Sequence, residues 1–181
     1  MPEQPQRPNI LLIITDQQRT DTLGCYGATH MRTPVIDQLA ASGVQFNRAY
    51  CNSSVCTPSR ASLFTGVYAS RHGAWHVGTH VPEDIPMLSH RLSAEGYRTH
   101  YIGFESVELC VGHALYGHRH GHYGEWVRSK NGGETPEFAM RHDEPRFGGE
   151  AIDWDMPTAM HNSTWAGESA SAFLEESPTD E

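Results

Sequence analysis

Long hydrophobic runs are missing from this 181-residue chain; the densest, residues 10–14, is only five residues long. A membrane-spanning helix takes about 20 apolar residues and a secretory core about 7–15, so neither is read here. An excess of positive charge is missing too. Thirteen Lys and Arg stand against 22 Asp and Glu, for a net charge of −9, which argues against a basic nucleic-acid-binding surface. Aliphatic bulk is scarce: Leu, Ile, Val and Phe together number 32. That is below roughly 20% of the chain, the level under which a self-sufficient core is hard to build. Cysteine is also scarce, with Cys25, Cys51, Cys56 and Cys110 and no C-x-x-C pair. Reduced thiols in a cytoplasmic protein are expected, rather than a disulfide framework or a zinc site.

What is present is unevenly spread. Residues 1–102 carry a net charge of +1 and residues 103–181 a net charge of −10, and 21 of the 32 aliphatic and Phe residues lie in the first part. Residues 1–8, with three prolines, read as a flexible lead-in to a domain covering residues 9–181. Residues 10–14 read as a continuous apolar strand of the kind buried on both faces in a parallel sheet. Thr33-Pro34, then Ile36, Leu39, Ala40 and Gly43, predict a short helix with a capping Thr33, Pro34 at its first position and a closing glycine. Val44, Phe46 and Tyr50 alternate like a strand, Pro86 to Gly96 outlines another helix, and residues 97–102 another strand. This order predicts an α/β domain built on a mostly parallel sheet flanked by helices. Residues 9–103 are well patterned, whereas residues 104–181 are acidic, rich in Gly and His, and anchored only by scattered residues such as Leu109, Tyr116, Trp126 and Phe147. A terminal amphipathic helix is expected over residues 163–176, with Trp165, Ala172 and Phe173 on one face.

The most informative stretch is Cys56-Thr57-Pro58-Ser59-Arg60, followed by Leu63-Phe64-Thr65-Gly66. Pro58 suits the first turn of a helix, which puts Cys56 near the helix N-terminus, where backbone N–H groups and the macrodipole favour an anion. Arg60 then projects roughly 6 Å away on the same face. A nucleophile beside a helix N-terminus and a guanidinium makes a site for sulfate or phosphate oxygens. Asp16 and Gln17, just past the apolar run, stand where open α/β sheets place their ligands.

These residues resemble the signature of the formylglycine-dependent sulfatases, within the alkaline-phosphatase-like superfamily. The run from Asn9 through Asp16-Gln17, and on through Asp21 to Gly24-Cys25-Tyr26-Gly27, is similar to that family's opening. The resemblance implies that Cys56 is oxidised to formylglycine by a maturation enzyme and, as its hydrate, attacks the sulfur of a sulfate ester. It implies that Arg60 stabilises both the formylglycine and the bound anion. Asp16 and Gln17, with the residue derived from Cys56, would then hold a divalent metal, Ca²⁺ first and Mn²⁺ second. The Asp-Gln pair also resembles phosphonate monoester hydrolases, so a phosphonate monoester or phosphodiester hydrolase is the neighbouring alternative.

The resemblance breaks after Gly96-Tyr97-Arg98-Thr99-His100-Tyr101-Ile102-Gly103, where the family continues with Lys and His and this chain has Phe104-Glu105-Ser106. By this resemblance, those cations would bind the sulfate and protonate the leaving group. From Phe104 through Gly112-His113, His120-Gly121-His122-Tyr123 and Trp126, the chain again resembles sulfatases, but a segment they carry several dozen residues later. An internal deletion joined near Gly103 is therefore expected. The family's later Asp-Pro-His and Asp-His or Asp-Asn segments have no counterpart, so a truncated N-terminal portion with little or no turnover by itself is expected. A different class of reading is a non-catalytic remnant, or a metal-binding strand using His118, His120 and His122. Cys25, Cys51 and Cys110 are assigned to packing.

Overall fold

The structure, a computed structural model, describes residues 7–103, 122–134 and 157–176. Most of the expected lead-in, Phe104 of the expected junction, Cys110, and His118 and His120 lie outside the described residues, as does the side chain of His122. The chain forms two compact units, Met1–Tyr50 and Cys51–Glu181.

In the first unit, two single-turn 3-10 helices, Thr20–Thr22 and Gly24–Tyr26, precede helix α1, Pro34–Ser42. Pro34 opens α1 as expected, since a first-turn residue needs no N–H partner. Thr33 precedes it, but its hydroxyl does not cap the helix. Instead it accepts from the Gly24 N–H at 2.8 Å and donates to the Asp37 carboxylate at 3.0 Å. The same carboxylate accepts from the Cys25 N–H at 2.7 Å, Gln45 donates to the Cys25 carbonyl at 3.1 Å, and the Tyr26 hydroxyl donates to the Phe46 carbonyl at 2.7 Å. The turn that follows Asp16 and Gln17 is thereby tied to α1. Gly43 ends the helix at φ −122° and ψ −145°, rather than in the left-handed conformation expected of a closing glycine.

Gly24 is fixed by this close approach, because a Cβ there would stand 2.4 Å from an Asp37 carboxylate oxygen. Gly24→Ala is expected to displace Asp37 from the Cys25 N–H, costing on the order of 1 kcal/mol for the lost bond. Faster amide exchange at Cys25 checks it.

No strand occurs among the described residues, so the strands expected at residues 10–14, 44–50 and 97–102 are not formed in this structure. Residues 10–14 are exposed, with Ile13 at 73%, and Val44, Phe46 and Tyr50 are exposed as well. The physical reason is where each element finds its hydrogen bonds. A helix closes its bonds within one segment, but every ladder bond of a strand goes to a neighbouring segment. The apolar runs have the composition of strands without the neighbours that would make them strands.

The second unit is helical. Helix α2, Cys56–Thr65, ends at Gly66, whose φ of 74° needs a residue without a Cβ. Helix α3, Ala69–His72, and helix α4, Leu88–Ala94, pack against α2. The core between them is Ala61, Ala74, Val81, Ile85 and Met87, with Phe64, Val67 and Tyr101 packed on it. Helix α4 is shorter than its outline of Pro86 to Gly96 predicts, though it falls within it.

Farther along, helix α5, His122–Lys130, packs against helix α6, Asn162–Glu175. Val127 and Trp165 are buried between them, the Tyr123 ring lies 5.7 Å from that of Trp165, and the Tyr123 hydroxyl donates to the Met160 carbonyl at 2.8 Å. Burial pushes the Tyr123 phenol above its ordinary pKa. The expected terminal helix is present, and its amphipathic face is used unevenly. Trp165 is buried and Phe173 is half-buried, stacked on His100 at 4.1 Å with the Arg98 guanidinium 4.7 Å above its ring, while Ala172 stays exposed.

Candidate active site

Cys56 is the first residue of α2 and is exposed. The residue before it, Val55, has an extended backbone and a side chain with no acceptor, so the first turn of α2 has no side-chain cap at that position. Ser53 Oγ accepts from the Val55 N–H at 3.2 Å, and the Val55 carbonyl starts the helical ladder with the Ser59 N–H at 3.1 Å. Pro58 is the third helical residue, where its missing N–H costs nothing, and both Thr57 and Pro58 are buried beneath the exposed thiol. Arg60 follows on the next turn, half-buried.

The order of these residues suits oxyanion chemistry. Helix start, thiol and guanidinium belong to a single ten-residue element, and its buried side faces the core. Cys51, by contrast, is exposed but belongs to no helix.

Asp16 and Gln17 lie in the first unit, at a bend just past residues 10–14, and both are exposed. Gln17 has φ 51°, the only positive φ of a non-glycine residue in the described chain. A left-handed backbone is disfavoured for a side chain of that size, and such positions cluster at functional sites. The carboxylate of Asp16 and the amide oxygen of Gln17 are hard donors that suit one side of a Ca²⁺ or Mn²⁺ site. Among the described residues, no three His, Cys, Asp or Glu side chains gather into a metal-holding group. In the same unit, Gly24, Cys25, Asp37, Ala40, Ala41 and Gln45 line an open depression of about 360 Å³, which contains neither expected metal ligand.

Two polar residues that sequence reasoning missed are buried beside α2. Ser62 and His72 lie 2.8 Å apart, Oγ to Nε2, with His72 fully buried. The signal was there in small residues rather than large ones. The face α2 turns inward is Thr57, Pro58, Ala61, Ser62 and Thr65, a set that a search for apolar periodicity passes over. Burial holds His72 below the ordinary histidine pKa of 6.5, so its ring is neutral when the unit is folded. The unfolded chain therefore takes up the proton first as the pH drops. The stability this residue gives is complete above pH 6.5 and is lost as the pH falls from there through the depressed folded value. Urea midpoints measured from about pH 8 down to about pH 5 are expected to fall in that window, and His72→Gln is expected to flatten the fall.

A sequence model of the family described as Sulfatase matches residues 8–110. The uncharacterized sulfatase YidJ of Escherichia coli K12 is 45% identical over 98 residues, which is 54% of this chain and 20% of that protein. Human arylsulfatase D is 40% identical over 108 residues, 54% of this chain and 18% of that protein. Human N-acetylgalactosamine-6-sulfatase is 32% identical over 142 residues, 70% of this chain and 26% of that protein. The chain spans about a fifth to a quarter of the length of the curated relatives it matches. No solved structure matches the chain.

Proposed function

The chain belongs to the sulfatase family, and from that premise we propose that it carries the nucleophile side of a sulfuric ester hydrolase site. Cys56, matured to formylglycine, is the nucleophile, and Arg60 holds the bound anion and the matured side chain. Asp16 and Gln17, with the residue derived from Cys56, hold the divalent metal, Ca²⁺ first and Mn²⁺ second. When bound, such a cation would polarise the sulfate oxygens. The observation that carries this reading is the exposure of Cys56 at the start of α2 above a buried Thr57 and Pro58. An exposed thiol is within reach of a formylglycine-generating enzyme, and the helix start favours the negative charge of the ester. The alkaline-phosphatase-like sheet belongs to this reading as well, with residues 10–14 as one of its strands. No described helix is long and apolar enough to cross a membrane. The free thiols of Cys25, Cys51 and Cys56 accord with the cytoplasm.

The chain by itself is proposed to turn over little or no substrate, because Phe104-Glu105-Ser106 stands where the family has its Lys and His. Its anion site is testable without turnover. Inorganic sulfate and an aryl sulfate are expected to slow alkylation of Cys56 and leave the rate at Cys51 unchanged. Protection by an alkyl phosphonate but not by sulfate would favour the phosphonate hydrolase, the second reading that Gln17 supports. Protection by neither would contradict both and favour a remnant.

A further inference from the structure

The buried Ser62–His72 pair is directional. The Ala74 N–H donates to His72 Nδ1 at 3.1 Å, so Nδ1 carries no proton and the neutral ring bears its proton on Nε2. Nε2 then donates to Ser62 Oγ at 2.8 Å, and the Ser62 hydroxyl donates to the Pro58 carbonyl at 2.9 Å. The chain of bonds runs from the turn after α3 to the third residue of the helix that begins with Cys56. Its polarity is opposite to that of a serine nucleophile and its base, which would need the serine proton to point at the imidazole. Ser62 and His72 are also both buried, at 7% and 0% exposure, and out of reach of substrate. Each ring nitrogen of His72 has its partner inside the core, and such a network fixes geometry because every member is satisfied.

We propose that His72 is a positioning residue for the nucleophile: held by the Ala74 N–H, it fixes through Ser62 the carbonyl of Pro58, and with it the first turn of α2 that presents Cys56. This rests on the reading of Cys56 as the reactive group at an anion site. Fixing that turn keeps the helix start and Arg60 arranged around the sulfur. The consequence is a preference of Cys56 for anionic reagents that a loosened turn would lose.

The test is the ratio of alkylation rates with iodoacetate and iodoacetamide at Cys56 in the full chain, with Cys51 as the internal reference. The ratio is expected to be higher at Cys56 than at Cys51. Ser62→Ala and His72→Leu are expected to lower it by a factor of about three to ten, the range of one neutral hydrogen bond. His72→Gln, which keeps a donor near the Nε2 position, is expected to restore it, and the nitrogen shifts of His72 in the wild type should report the Nε2–H tautomer. Ser62→Ala removes a single hydroxyl, so it carries the test if His72→Leu does not fold. An unchanged ratio in Ser62→Ala with its helical circular dichroism retained would overturn the positioning role. Equal ratios at Cys56 and Cys51 in the wild type would instead overturn the anion-site reading on which it rests.

Discussion

Arg60→Ala is expected to lower conversion of Cys56 to formylglycine about tenfold or more when the chain is expressed beside a competent maturation enzyme. Arg60 follows Cys56 by about one helical turn in α2 and is half-buried. Removing it takes away a charge-assisted bond of about 1.5–3 kcal/mol. Arg60→Lys is expected to fall between the two, because an ammonium keeps the charge and loses the planar fork. Cys51, outside the helix, is expected to remain a thiol in every variant. Quantitative peptide mass spectrometry of residues 51–60 reads both cysteines in one measurement.

The second large effect is on stability. Met87 is fully buried in the core that α2, α3 and α4 share, and Met87→Ala is expected to destabilise that unit by about 2–5 kcal/mol through lost burial and an unfilled cavity. Val35 is 79% exposed on α1, and Val35→Ser is expected to change stability by less than about 0.5 kcal/mol. Urea denaturation followed by circular dichroism separates them. A small effect at Met87 would mean that the core found here does not hold the second unit together.

Helices α1, α2, α4 and α6 were legible in the sequence because their determinants are local, whereas α3 and α5 carry no such marks and were not expected. Pro34 and Pro58 mark first turns, and the placement of Cys56 at the start of α2 follows from Pro58 alone. The apolar runs were legible as composition but not as structure, since a strand is a relation between segments. Thr33 shows a subtler limit. A threonine before a proline reads as a cap, yet its hydroxyl is used by Gly24 and Asp37, residues that only the turn brings near. His72 was invisible for the same reason: nothing in its neighbours announces that Ser62, ten positions earlier, returns to meet it. Gln17 was singled out for its chemistry, and the structure adds a backbone feature, its left-handed φ, that no residue pattern predicts.

The most direct test of the central claim is the mass spectrum of the peptide containing Cys56 after co-expression with a formylglycine-generating enzyme. Cys56 is expected to lose its thiol and gain an aldehyde that reacts with a hydrazide, while Cys51 in the same peptide does not. An unmodified Cys56 beside a maturation enzyme that converts a control sulfatase would contradict it.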